Sequence, residues 1–358
     1  MPELPDVLNV LILQPVPDHV LERIKAISPA RLNVVPALVD FLPELQREWP
    51  ASMTQRFGQD GRKTSLSDEQ RDELASNAHV VFCGMAFPRT LPTRAENLIW
   101  AHFGFAGTSN LKDSEWWATP FITTSSRGYV AAIPIAEATI AGMFMLAKKL
   151  DLAVENTKKG SYDASGYGGV RLIHGKTLAI VGLGGIGSEV ARLAKGVGMR
   201  VIATRRSATS RQRSVDGVDE LFPAGELHAM LAEADFVAVC AMWTDETERM
   251  LNADAFVAMK PGAYLMNIAR GEIIDNEAMA EALRSGKLAG TYLDVWDDDF
   301  AQPPPKVLQE APNIIFTPHV SNRSDVPQMF AVDAFCANLE RLLKGEPLEN
   351  VVDWSRGY

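Results

Sequence analysis

Three short stretches put reactive side chains at the ends of runs that read as buried strands. "NIARGEIID" carries Arg270, "TYLDVWDDD" carries Asp294 and Asp299, and "IIFTPHV" carries His319. A parallel sheet gathers the C-terminal ends of its strands along one edge, and ligands of such sheets bind there. A guanidinium, carboxylates and an imidazole collected at that edge suggest hydride chemistry. Such a reaction needs no metal, and the sequence has neither HExxH nor a Cys/His ligand spacing, so no metal site is expected.

A hydride needs a carrier, and residues 177–204 read as its binding unit. After the strand "TLAIV", Gly182, Gly184 and Gly187 fit G-x-G-x-x-G. The first glycine permits a tight turn, the second lets backbone approach a pyrophosphate, and the third lets helix and strand pack closely. Gly185 and Ile186 open the following helix, whose first amides and dipole would face the phosphates. The motif alone is weak, but here it joins a strand to a helix and a second strand, "MRVIAT", follows at the right distance.

That second strand ends on Thr204, Arg205, Arg206 and Ser207 rather than on an acid. An acid there suits the free ribose hydroxyls of NAD(H), whereas arginine suits the 2′-phosphate of NADP(H). Each charge-assisted hydrogen bond to phosphate is worth roughly 1.5–3 kcal/mol, so one or two would discriminate about tenfold to more than a hundredfold. NADP(H) is therefore favoured, with NAD(H) the other option. The plainer reading of "RRSATSRQR" is a solvated basic loop.

The elements that position these groups alternate along the chain. "VLNVLIL", "RLNVV" and "AHVVFCG" read as strands, and "DHVLERIKAI" and "SDEQRDELASN" as helices, the latter capped by Ser67. The stretch from about Pro43 to Ser65 reads as a loop or an excursion. From "KTLAIVGLGG" the rhythm restarts, with "RVIAT", "DFVAVC", "AYLMNI", "GTYLDV" and "NIIFTPH" as buried strands. Two α/β units in tandem result, followed by a terminal helix in "DVPQMFAVDAFCANLERLLKG".

Composition is that of a soluble globular chain. It has 358 residues, long enough for two domains, and a formal net charge of -10, against the concentrated basic face that nucleic-acid binding requires. The apolar run "YVAAIPIAEATIAGMFMLA" is broken by Pro134 and Glu137 and reads as a buried helix rather than a membrane span. Cys83, Cys240 and Cys336 lack disulfide density or CxxC spacing, which points to reduced thiols and a cytoplasmic setting.

With "GLGGIG", "NIARGEIID", "LDVW" and "TPH" in order, the chain from about residue 80 onward resembles the D-isomer-specific 2-hydroxyacid dehydrogenases. The resemblance implies two Rossmann-like or flavodoxin-like α/β domains with parallel sheets. Residues 1–131 and 322–358 would form the substrate domain, and 132–321 an NAD(P)-binding Rossmann domain inserted into it. It also implies a homodimer built on the apolar helix after Pro134.

The same resemblance assigns roles, glyoxylate and hydroxypyruvate being plausible members of a small 2-oxo or 2-hydroxy acid substrate class. Arg270 would clamp the carboxylate and polarise the 2-oxo group, and His319 would be the acid/base at the substrate oxygen. The family usually sets a glutamate beside this histidine. Here Asp299 stands at that position, a departure that leaves Asp297 and Asp298 as alternatives. Asp294 matches a position near the nicotinamide carboxamide and Thr247 one near the pyrophosphate. In the substrate domain, Ala106 and Gly107 of "HFGFAGTSN" match the loop whose amides hold the carboxylate, with Gly84 and Met85 as facing walls. A dinucleotide-sensing protein without turnover is the alternative on the same fold.

Overall fold

The computed structural model describes residues 3–54, 64–127, 132–325 and 330–355. The chain divides into two compact units, one of Met1–Val130 with Pro327–Tyr358 and the other of Ala131–Val326.

The first unit holds β1 (Leu8–Leu13), α1 (Asp18–Ala26), β2 (Leu32–Pro36), α2 (Leu38–Glu48), α3 (Ala51–Thr54), α4 (Asp68–Ser76), β3 (Val80–Cys83), β4 (Trp100–Phe103) and β5 (Ile122–Ser125). Its five strands are parallel in the order β2-β1-β3-β4-β5. Both β3 and β4 are buried throughout, as strands covered on both faces must be. Helix α4 starts with a capping box, Ser67 accepting from the Gln70 amide while the Gln70 side chain accepts from the Ser67 amide.

The expected loop from Pro43 to Ser65 is corrected in its first part. Pro43 lies inside α2, and α3 follows at once. The helix survives its proline because its inner face buries Phe41 and Leu45, and because buried Glu44 pairs with Arg71 and Arg94. Residues 55–63 of that stretch lie outside the described residues.

The second unit runs α5 (Ala132–Lys148), α6 (Leu150–Lys159), β6 (Thr177–Val181), α7 (Gly185–Gly196), β7 (Arg200–Arg205), β8 (Gln212–Val215), β9 (Val218–Pro223), α8 (Leu227–Leu231), β10 (Phe236–Val239), α9 (Ala253–Ala258), β11 (Ala263–Asn267), α10 (Asn276–Arg284), β12 (Leu288–Leu293), α11 (Lys306–Gln309) and β13 (Ile314–Phe316). The strand order is β13-β12-β11-β10-β6-β7-β9-β8. From β6 the chain goes to β7 on one side and returns to β10 on the other, which makes the crevice at their C-terminal ends the natural ligand position.

Two sequence expectations change here. The sheet is not wholly parallel, because part of the "RRSATSRQR" stretch enters β8, which runs antiparallel to β9. Asp216 and Gly217 form the two-residue turn between them, both with positive φ, as the hairpin twist demands. The apolar helix is α5, and it is buried on one face only: Ile135, Met143 and Leu146 are covered, while Ile133 is 45% exposed. Among the described residues no helix is long and apolar enough to cross a membrane.

The last helix, α12 (Phe330–Lys344), belongs to the first unit. Its Phe335 stacks on Phe82 of β3 and Trp100 of β4, with ring centroids 4.4 and 5.1 Å apart.

Candidate active site

The glycine loop has the geometry that a dinucleotide requires. Gly182 adopts φ of 99°, and a Cβ there would stand 2.7 Å from backbone of Ala241. A Cβ on Gly187 would stand 2.3 Å from the Gly182 carbonyl oxygen, so a side chain would force α7 away from β6. At Gly184, the N-cap of α7, a Cβ would meet nothing within 4 Å, and Gly184 and Gly185 are exposed. The helix start thus offers open amides beside a tight turn, which fits a pyrophosphate.

Thr204 is buried and supports this loop from below. Its Oγ1 accepts from the Gly182 amide at 3.3 Å, and its carbonyl from the Leu183 amide at 2.8 Å. Arg205 ends β7 half-buried, while Arg206 and Ser207 are exposed. The two guanidinium groups face Asp216 and Glu246 respectively, surface pairs of the kind worth about 0–1 kcal/mol that a phosphate can displace. Thr247 shapes the turn after β10, its hydroxyl donating to the Met242 carbonyl at 2.7 Å and accepting from the Thr244 amide at 2.8 Å.

At the other strand ends of this unit the structure brings Arg270, Asp299 and His319 together. Arg270 follows β11 in a turn shaped by buried Asn267, whose amide donates to the Arg270 carbonyl at 2.8 Å. Burial pulls the guanidinium pKa down, and the nearby Asp299 and Glu272 carboxylates oppose that shift. The group stays charged even so. Gly271 explains the closeness of the strand-end loops: a Cβ there would stand 2.1 Å from the Trp296 carbonyl carbon. Only glycine lets the Arg270 turn rest on the loop that carries Asp299.

Of the three aspartates after Trp296, Asp299 meets the histidine, with Oδ2 2.8 Å from His319 Nδ1. Asp297 instead accepts from Asn276 Nδ2 at 2.9 Å, its carboxyl pKa pushed up by burial, and Asp298 is exposed. Phe300 stacks on the His319 ring with centroids 4.7 Å apart. An ionised carboxylate only accepts, so Nδ1 carries a proton and Nε2 is left to exchange one.

His319 adopts φ of 50°, in the left-handed region that side chains other than glycine enter at a cost of about 1–3 kcal/mol. Asp294 holds it there. The Asp294 carbonyl accepts from the His319 amide at 2.8 Å, Oδ1 from the Val320 amide at 3.0 Å and from Thr317 Oγ1 at 2.6 Å, and Oδ2 from the Ser321 amide at 3.0 Å. Asp294 is fully buried, and both of its carboxylate oxygens accept from the histidine loop.

In the first unit, Cys83 pairs with Phe103, so the segments following β3 and β4 leave the sheet side by side. Gly84 and Met85 lie on one, Ala106 and Gly107 on the other, with Gly107 capping the turn Thr108–Leu111. Met85 Sδ accepts from Asn110 Nδ2 at 3.1 Å. The sequence reading missed Gly271, Thr317 and the hairpin. The paired types "RG" and "VDGV" were available as signals for the first and the last.

Glycine loop, strand order and strand-end side chains together define a dinucleotide-binding α/β protein. Over residues 140–321, half of the chain, the sequence matches the family described as "D-isomer specific 2-hydroxyacid dehydrogenase, NAD binding domain". The chain belongs to that family. It is 30% identical over 294 residues to the D-3-phosphoglycerate dehydrogenase of Methanocaldococcus jannaschii, an alignment covering 81% of this chain and 54% of that protein. The chain thus spans about half the length of that relative. It is 36% identical over 177 residues to the glyoxylate reductase of Thermococcus onnurineus, covering 49% of this chain and 50% of that one. A crystal structure of a D-isomer specific 2-hydroxyacid dehydrogenase family protein from Aeromonas salmonicida superposes with a TM-score of 0.76 at 26% identity, covering 97% and 99% of the two chains.

Proposed function

We propose that this protein is an NAD(P)-dependent reductase of small 2-oxo acids, working reversibly on the corresponding 2-hydroxy acids. The observation that carries the reading is the Asp299–His319 pair beside Arg270, at the strand ends of a unit whose glycine loop fits a dinucleotide. The glycine loop and the first amides of α7 would hold a nicotinamide dinucleotide, whose chemistry when bound would be hydride exchange with C2 of the substrate. Arg270 clamps the carboxylate and draws electron density from the 2-oxo group. His319, held at Nδ1 by Asp299, gives an Nε2 proton to the oxygen, and in the reverse direction the ring takes it back. In the first unit, the family resemblance gives Ala106 and Gly107 the role of amide donors to a carboxylate, with Gly84 and Met85 on the neighbouring segment.

Arg205 and Arg206 select NADP(H) by its 2′-phosphate, at about tenfold or more. Glyoxylate and hydroxypyruvate fit a site that asks little beyond a carboxylate and a carbonyl. The free thiols, with Cys240 pushed up to about 12 by burial, suit a reducing compartment such as the cytosol. Ile133 of α5 and Leu150 and Val154 of α6 are exposed apolar side chains of the kind a homodimer would cover. The test of the reaction class is Arg270→Ala, which should lower kcat/KM at least a hundredfold on every substrate. Near-normal turnover in that variant would remove Arg270 from the mechanism.

A further inference from the structure

Asp294 receives one of its hydrogen bonds from a side chain, and that side chain is itself supported. Thr317 Oγ1 donates to Asp294 Oδ1 at 2.6 Å, which uses the only proton the hydroxyl has. The Tyr292 hydroxyl lies 2.8 Å from the same Oγ1 and must therefore be the donor in that pair. Tyr292 is 5% exposed, and burial raises its pKa, so the phenol keeps its proton. Its ring is wedged against α5 at a point where only glycine fits: a Cβ on Gly142 would stand 2.5 Å from Tyr292 Cγ. A donor chain runs from Tyr292 through Thr317 into Asp294, which also accepts from the amides of His319, Val320 and Ser321.

We propose that Tyr292 and Thr317 are positioning residues for His319, acting through Asp294. The ground is local. The loop 317–321 contains a histidine in the left-handed region, and such a conformation persists only when its surroundings over-determine it. Asp294 must keep a fixed orientation to accept from Val320 on one oxygen and from Ser321 on the other. Thr317, locked by Tyr292, prevents the carboxylate from turning about its Cβ–Cγ bond. Removing the Thr317 hydroxyl leaves Oδ1 with one donor and the Tyr292 O–H without its acceptor, in a partly buried site. His319 then samples other backbone conformations, and its Nε2 leaves the place where the proton is needed.

The inference rests on the reductase reading, so its test has one arm that needs no turnover. Thr317→Val keeps shape and removes the hydroxyl; Thr317→Ser restores the hydroxyl alone. In Thr317→Val, kcat for 2-oxo acid reduction should fall about tenfold to a hundredfold while the Kd of the dinucleotide stays within about twofold, since a displaced reacting group costs rate rather than cofactor binding. Thr317→Ser should recover most of the rate. Tyr292→Phe should lose about threefold to tenfold, the smaller effect of a group one bond further away. In the second arm, the His319 imidazole signals in the NMR spectrum of the free protein should shift or broaden in Thr317→Val and return in Thr317→Ser.

Wild-type kcat in Thr317→Val, or a loss that Thr317→Ser does not repair, overturns the positioning role. Unperturbed His319 signals in Thr317→Val overturn it as well. If the wild-type protein turns over no 2-oxo acid, the reductase reading fails, yet a His319 signal that moves with Thr317→Val and returns with Thr317→Ser still supports the relay.

Discussion

Asp299 Oδ2 stands 2.8 Å from His319 Nδ1, so an aspartate makes here the contact for which the family usually supplies the longer glutamate. The loop that carries Asp299 lies close against the turn after β11. Its approach is set by Gly271, which lets the turn after β11 touch backbone of Trp296. Asp299→Asn replaces the carboxylate that accepts at His319 Nδ1 with an amide, and kcat/KM for reduction should drop by about 10- to 100-fold, as for other partners that orient a histidine. A wild-type value in steady-state kinetics would show the carboxylate to be incidental.

Gly271→Ala should be among the most damaging single-methyl additions in the chain. The added Cβ would stand 2.1 Å from the Trp296 carbonyl carbon, so the Asp299 loop has to move. Displacements of about 1 Å cost roughly a hundredfold in rate, and kcat should fall by that order. Steady-state assays together with a melting curve separate this from global unfolding.

Asp294→Asn replaces two accepting oxygens by one oxygen and one donating amide. Three groups point protons at that carboxylate, so at least one donor then meets a donor. A buried unsatisfied group costs about 1–3 kcal/mol, which urea unfolding should register along with a loss of kcat. Unchanged stability would mean that the loop around His319 does not lean on Asp294.

His102 gives a pH dependence that belongs to folding rather than catalysis. The ring is fully buried between Thr124, 2.7 Å from Nδ1, and Ser126, 3.0 Å from Nε2, and burial pulls its pKa down to about 3. The unfolded chain binds that proton near pH 6.5, so this contribution is complete above about 6.5 and is lost as pH falls toward 3. The slope is up to about 1.4 kcal/mol per pH unit. Urea unfolding of the wild type and His102→Gln between pH 7 and 5 should show curves that converge as pH falls; parallel curves would contradict the assignment.

Much of the architecture is legible in the sequence because the central strands are buried on both faces and appear as continuous apolar runs. "TLAIV" and "AYLMN" need no context to be recognised. The exposed hairpin escapes that signal: β8, "QRSV", has no apolar stripe, although the "DG" of its turn was in view. Helix α2 escapes it for the opposite reason, since Pro43 argues locally against a helix that tertiary burial of Phe41 and Leu45 sustains. At the site, residue types and strand-end positions show in the sequence for Arg270, Asp299 and His319. The commitment of Asp294 to the histidine loop, and the support of Thr317 by Tyr292, depend on side-chain directions across 23 to 27 residues of chain and leave no local pattern.

The most direct measurement is the initial rate of NADPH oxidation, with NADH in parallel, against glyoxylate, hydroxypyruvate, pyruvate and bulkier 2-oxo acids, for the wild type, His319→Ala and the Arg205→Ala/Arg206→Ala double variant. The expected result is turnover of the small 2-oxo acids with a marked preference for NADPH. That turnover should fall about 10²–10⁴-fold in His319→Ala, and the preference should collapse in the double variant. Tight dinucleotide binding with no turnover of any 2-oxo acid would contradict the reductase account and make the protein a sensor of its cofactor.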